Sequence, residues 1–420
     1  MSLSSLKPRK GTRRTRNLLG PNNFFRVLRG VFRGCFFLIL FAFPSYAERK
    51  YFLGTAADFT GGMTNQIGDT SYTLSENAPF FAVYPSINLR SVGEHSELDL
   101  DYTFSAERFR TSDGITTLSH IATGSFAAQL GNRTHLRISD TFDTMPNYST
   151  INVLQGFTVT PQGFQYVFEP QTYQSFSMSN SGNIGIDVDL TSKSFLTFGG
   201  SGSYRHYNDT VNQTYYSDQL RVEGSFGFSH KHSTRTTWGM KYKIWQNDYQ
   251  DNYPTARSHS ATVELRRVLS PGWSLTLEAG PAYVETASYL SYIINANISK
   301  QSQTNRFDAG YSHDAGDSTG IGGTSESHQG RLGFSQSLWR TASLSFQASA
   351  FRQYQKGSGS YDYWGANGSA ALSQELGKYW VASVGVSYTT NMGGGYNGYT
   401  YERAYVSIGY RLPDFWRTER

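Results

Sequence analysis

The chain has 420 residues, a formal net charge of +5, a single cysteine, and a composition tilted toward Tyr (29), Phe (28) and Gly (42), with only 16% charged residues. One thiol excludes an internal disulfide framework and a multi-cysteine metal centre. Outside the N-terminal leader no segment approaches a membrane helix, mean hydropathy is −0.47, and the aromatic and glycine excess favours strands.

The N-terminus reads as a secretory signal peptide over residues 1–47. Lys7, Arg9, Lys10, Arg13, Arg14, Arg16, Arg26, Arg29 and Arg33 precede the apolar run Phe36 to Phe43, with no acid among them. Pro44 and Ser45-Tyr46-Ala47 follow, and cleavage is expected after Ala47. The run is too short for the roughly 20 residues of a spanning helix. Cys35 precedes the run, whereas a lipid-accepting thiol would follow it. Removing nine basic residues from 37 leaves 28 against 32 acidic ones, a net charge near −4 for residues 48–420. The high isoelectric point therefore belongs to the leader, and no nucleic-acid partner is expected.

From there the chain alternates. In SELDLDYTF, Leu98, Leu100, Tyr102 and Phe104 share one face, while Asp99 and Asp101 share the other. NIGIDVDL sets Ile184, Ile186, Val188 and Leu190 against Asp187 and Asp189. QLRVEGSFGF sets Leu220, Val222, Phe226 and Phe228 against Arg221 and Glu223. TWGMKYKIW sets Trp238, Met240, Tyr242 and Ile244 against Lys241 and Lys243, and SATVELRR sets Ala261, Val263 and Leu265 against Glu264 and Arg266. WSLTLEAG, with Glu278 on its polar face, and ERAYVSIGYRL continue the pattern. These runs reach about ten residues, the length a tilted strand needs to cross the hydrocarbon layer, against about five to six for soluble strands.

The links alternate as well. Leu130 to Arg133, Thr191 to Ser194, Leu269 to Gly272, Trp339 to Ala342 and Leu376 to Tyr379 are short. Asn208 to Tyr215, Gln246 to Arg257, His313 to Ser327, Gln355 to Tyr363 and Asn391 to Tyr399 are long. Short inner turns and longer outer loops mark an outer-membrane barrel. Sixteen strands fit from Ser96 to Leu412, with both ends on the same side. FFAVYPSINL (Phe80 to Leu89) adds a descending strand that needs a rising partner, and Gly54 to Gly62 is the only segment that can supply it. The expectation is an all-β, antiparallel up-and-down transmembrane barrel over residues 48–420, of eighteen strands, with sixteen as the alternative. Asp143 to Gln171 is expected to be the principal outer loop.

The run FFAVYPSINLRSVGEHSELDLDYTFSAERF and strands such as SFLTFGGSGSYRHY resemble the β-barrel porin family associated with exopolysaccharide or exosortase gene clusters. The resemblance implies outer-membrane residence, a transport or secretion role, and a polysaccharide as an added partner; it carries no catalytic residues. Outer-membrane lipid, lipopolysaccharide and the barrel-assembly machinery are the other expected partners. Outer-membrane barrel sequences usually end on an aromatic residue for assembly recognition, whereas here Phe415-Trp416 is followed by Arg-Thr-Glu-Arg.

No GxSxG elbow, HExxH helix or Walker loop occurs, and no cofactor is expected. The closest histidines, His230 and His232, fall on a predicted turn with no carboxylate nearby in sequence. Three functions compete: a weakly selective porin for small polar solutes, a polysaccharide-export accessory, and a barrel enzyme, for which no nucleophile–base pair is found. The residues expected to line the pore are Asp99, Asp101, Asp187, Asp189, Arg221, Glu223, Lys241, Lys243, Glu264, Arg266 and Glu278. Folding about the turn near His232 places Glu223 opposite Lys241 or Lys243. Folding about Leu269–Gly272 places Glu264 opposite Glu278, and the long link leaves the two lysines beside Glu264 and Arg266. Such a belt is read first as a ladder of cross-strand charge pairs, each worth roughly 0.2–1 kcal/mol, and second as a selectivity element.

Overall fold

The computed structural model describes residues 50–66, 73–110, 116–145, 159–160, 163–164, 177–207, 218–249, 255–317, 324–355, 362–393 and 396–419. The signal peptide lies outside them. So does most of the expected loop from Asp143 to Gln171, of which Asp143 to Met145 belong to a strand and Val159–Thr160 pairs with Gly163–Phe164.

Eighteen strands form one sheet: β1 Lys50–Gln66, β2 Thr73–Val92, β3 Ser96–Phe109, β4 Thr116–Gln129, β5 Thr134–Met145, β6 Ser177–Asp189, β7 Ser194–Tyr207, β8 Gln219–Lys231 and β9 Thr236–Tyr249. The second half runs β10 Ala256–Ser270, β11 Trp273–Val284, β12 Tyr289–Gln301, β13 Asn305–Asp317, β14 Thr324–Trp339, β15 Ala342–Gln355, β16 Asp362–Leu376, β17 Trp380–Gly393 and β18 Tyr396–Glu419. Each strand pairs antiparallel with its neighbours in sequence, and β1 also pairs with β18 from Lys50↔Glu419 to Thr64↔Arg403. The sheet is therefore a closed barrel in which every strand is paired on both sides. Gly54 to Gly62 does supply the partner of Phe80 to Leu89, so eighteen is the count and sixteen is not.

Four of the five long links are shorter than the sequence suggested, because the strands continue into them; the one expected from Asn208 to Tyr215 is not, since its flanking strands end at Tyr207 and start at Gln219. β13 reaches Asp317 and β14 starts at Thr324, so His313–Asp317 and Thr324–Ser327 are ladder, not loop. Strands run from 12 to 24 residues, beyond the roughly 9–11 that cross the hydrocarbon layer. At the opposite end, Pro271 and a left-handed Gly272 (φ 80) close β10 onto β11, the residue pair a type II turn prefers.

The two faces of the wall differ. Met240 (58% exposed), Val263, Val386, Val406 and Ile408 continue from strand to strand on one face, and Trp238, Trp339 and Trp380 edge it on the turn side. On this face a histidine is held by a tyrosine of the adjacent strand in three places: His120 Nδ1 with Tyr102 (2.8 Å), His259 Nδ1 with Tyr242 (2.7 Å) and His328 Nδ1 with Tyr311 (2.8 Å). The other face carries the charges expected to line the pore. It is the concave one, because polar side chains from five consecutive strands, β9 to β13, line a single recess.

Candidate functional site

Each expected pore residue lies on the charged side of its strand, and nearly all have partners there. The Asn88 amide donates to both Asp99 (2.7 Å) and Asp101 (2.8 Å). Asp187 receives Arg137 Nη2 (2.5 Å) and Thr197 Oγ1 (2.8 Å), and Asp189 faces His135 Nε2 at 3.7 Å. Glu223 is bracketed by Arg221 (3.4 Å) and Lys243 (3.6 Å), and the Arg221 guanidinium also rests over Trp245, 4.7 Å from the ring centroid. Glu264 pairs with Arg266 on its own strand. Glu278 stands opposite Glu264 and accepts from Thr262 Oγ1 (2.7 Å). Two like charges are tolerated across that rung because each has its own donor.

The register corrects part of the expected belt. Glu223 is opposite Trp245, not Lys241 or Lys243, which face Gly227 and Ser225. The β8–β9 turn is centred on Thr234 and not on His232: Ser233 and Thr236 exchange backbone bonds, and the Arg235 N–H donates to Ser233 Oγ. That shift moves every partner by four residues, and the Glu223–Lys243 pair forms diagonally. Lys241 and Lys243 face Thr262 and Ser260, whereas Glu264 and Arg266 face Gly239 and Thr237. The lysines are therefore not beside those charges. β9 and β10 run up to Tyr249 and Ala256, which fixes a pairing that the link composition did not disclose.

What the lysines do face is a recess of about 150 Å³ in the concave wall. Two interruptions of the backbone ladder frame it. Between Ser260↔Ala282 and Val263↔Ala279 the β10–β11 ladder skips Gly280 and Pro281, where proline has no N–H to give. Gly280 lies so close to β10 that a Cβ there would come within 1.9 Å of the Ala261 carbonyl oxygen. Two strands on, the β12–β13 ladder stops at Ile294↔His313. Beyond that point His313 Nδ1 bonds to the Tyr292 carbonyl oxygen (2.8 Å), and Ser291 Oγ donates to Glu326 (2.8 Å) across the intervening strand.

Sequence reasoning missed most of this lining. Ser260, Thr262, Asn295 and Ser312 join Lys241, Lys243 and Glu278, and Asp314 was assigned to a loop. The alternation was there to be used: Ser260 and Thr262 share the face of Glu264. Also missed is the group Asp308–Asn297–Arg331, in which Arg331 reaches over Gly310 to Asn297 (3.2 Å) and Asp308 (3.6 Å). His230 is in β8, bonded to Ser194 (2.8 Å). Among the described residues no group of three His, Cys, Asp or Glu side chains is arranged to hold a metal.

No protein-family model and no curated protein matches the chain. Solved structures do. The outer membrane protein OpdK from Pseudomonas aeruginosa aligns over 87% of this chain and 98% of its own, at 10% identity and a TM-score of 0.43. Pseudomonas aeruginosa OccK2 (OpdF), solved in complex with glucuronate, aligns over 86% and 98% at 12% and 0.44. Acinetobacter baumannii OccAB4 aligns over 88% and 100% at 10% and 0.43. Likeness at this distance carries no argument about solute or mechanism.

Proposed function

We propose that the protein is a porin of the Gram-negative outer membrane: a water-filled, weakly selective pore for small polar solutes. The observation that carries the reading is the opposite chemistry of the two faces of a closed eighteen-strand wall, apolar on the convex side and charged on the concave side. Such a wall can face lipid only with its apolar side. Its interior is wider than side chains alone can fill, and the eleven charged residues, together with partners such as Arg137 and Thr197, keep that surface wet.

Acids and bases are paired on the concave face, as in Arg137–Asp187 and Arg221–Glu223–Lys243, so their fields partly cancel and selectivity is weak. The wall is a conduit, with lipopolysaccharide against its outer rim and the barrel-assembly machinery as the route of insertion. Liposomes reconstituted with the purified barrel should swell in arabinose and glucose at rates that fall with sugar size. Swelling no faster than protein-free liposomes would exclude the pore. A parallel arm with exopolysaccharide tests the narrower expectation raised by the family resemblance: slowed sugar entry would add a glycan to the solutes the pore engages.

A further inference from the structure

The recess between β9 and β13 is not electrically finished. Of its four charged side chains, Lys243 is paired with Glu223 and Glu278 holds Thr262 Oγ1. The other two have no partner among the described residues. Lys241, on β9, makes no ion pair or hydrogen bond with any of them, and neither does Asp314, on β13, whose Oδ1 is buried and unsatisfied. An unsatisfied buried carboxylate oxygen is costly, by more than a neutral acceptor would be. Here the lone acid and the lone base face the same cavity from opposite ends, farther apart than an ion pair.

The fold explains why both are stranded. Asp314 is the first residue of β13 beyond the end of the β12–β13 ladder at Ile294↔His313, so no β12 side chain is registered beside it. Lys241 stands opposite Thr262, which is committed to Glu278. Between them the recess is lined by Ile293 and Ile294 and by the polar groups of Ser260, Asn295 and Ser312.

We propose that this recess is a binding station for a small zwitterion, a solute carrying one ammonium and one carboxylate separated by a short carbon chain. The carboxylate would meet Lys241, the ammonium would meet Asp314, and the hydroxyl and amide groups between them would hydrate or hydrogen-bond the spacer. The inference builds on the pore reading by naming a solute class for it. A singly charged solute satisfies one end and leaves the other stranded, so it binds more weakly; forgoing either charge-assisted hydrogen bond weakens binding about tenfold.

The test uses 5-aminopentanoate as the probe, with pentanoate and pentylammonium as singly charged controls of the same length. Titration calorimetry on the purified full-length barrel should show 5-aminopentanoate binding about tenfold or more tightly than either control. Lys241→Gln and Asp314→Asn should each remove that advantage, and the exchange Lys241→Asp with Asp314→Lys should retain it. Equal binding of probe and controls, or an unchanged advantage in both single variants, would overturn the proposal. Calorimetry does not depend on conduction, so a barrel that binds the probe yet passes no current refutes the pore and not the station; a conducting barrel without the advantage refutes only the station.

Discussion

Arg403 on β18 reaches Glu107 on β3, with Nη2 and Oε2 3.1 Å apart and the two side chains only 10% and 5% exposed. The bridge spans β1 and β2 on the concave face, and therefore straps the two ends of the chain together where the barrel closes. The Arg403 guanidinium also lies 3.8 Å from the centroid of the Phe80 ring, and the Tyr84 hydroxyl donates to Glu107 (2.6 Å). Phe80, Ala82, Tyr84, Phe109 and Tyr405 form the buried cluster beneath it. Removing one partner of a buried pair leaves the other charge uncompensated, at about 3–5 kcal/mol. Arg403→Met should lower the temperature at which the folded barrel loses its compact migration on a gel. The double variant Arg403→Met, Glu107→Leu should recover much of the loss; no recovery would mean that packing, and not charge, carries the strap.

Lys241 and Lys243, grouped together in the sequence, separate in the structure and should separate in experiment. Lys243→Gln takes one cation away from Glu223, which keeps Arg221, so heat stability should fall by only about 0.2–1 kcal/mol, with little change in reversal potential. Lys241→Gln removes an unpaired positive charge from the concave wall. It should leave stability unchanged and move the reversal potential in a salt gradient toward cation preference. If both variants behave alike, the distinction between a ladder lysine and a free one is wrong.

Gly280 marks the close approach of β11 to β10. An added Cβ would meet the Ala261 carbonyl oxygen at 1.9 Å and Thr262 Cα at 2.7 Å, both backbone atoms unable to step aside. Gly280→Ala should cost roughly 1–3 kcal/mol through overpacking, read as a lower yield of heat-modifiable barrel. Gly185→Ala, where nothing lies within 4 Å of the new carbon, should be tolerated and serves as the comparison.

Face assignment gives a fourth prediction. Val406 is 62% exposed on the apolar face and flanked by Val384 and Gly61 on its neighbours. Val406→Arg should cost about 2–4 kcal/mol if it meets the hydrocarbon midplane. Ala127 is exposed on the charged face between Glu97 and Arg137, and Ala127→Arg should fold normally in the same assay.

Much of this architecture could be read from the sequence because alternation is a local property. Leu98 to Phe104 or Trp238 to Ile244 declare their faces without reference to any other strand. Gly54 to Gly62 was weak by itself, with Phe59 its one large side chain, and emerged only because a closed barrel needs an even count. Register was harder. Glu264 opposite Glu278 followed from a turn whose Pro271-Gly272 centre is explicit. Glu223 was misplaced because Lys231 to Arg235 offers several turn centres, and only the bonds around Ser233 choose one. Lys241, Lys243 and Glu278 were read as pore residues, but the recess that they share was not. It arises where two ladders fail, at Gly280-Pro281 and beyond His313, and the run HDAGD that starts at His313 has the composition of a loop. Its strand character is imposed by pairing with β14.

The claim at the centre of this account is that the charged face encloses water and the apolar face meets lipid. It is tested most directly by single-channel recording from Ala127→Cys and Val406→Cys barrels, made in a chain whose sole native cysteine, Cys35, is replaced by serine. Both should conduct steadily in a planar bilayer. A charged, water-soluble thiol reagent should reduce the current of the Ala127→Cys channel in one step and leave the Val406→Cys channel untouched. A barrel that passes no ions, or one in which position 406 reacts and position 127 does not, would contradict the account.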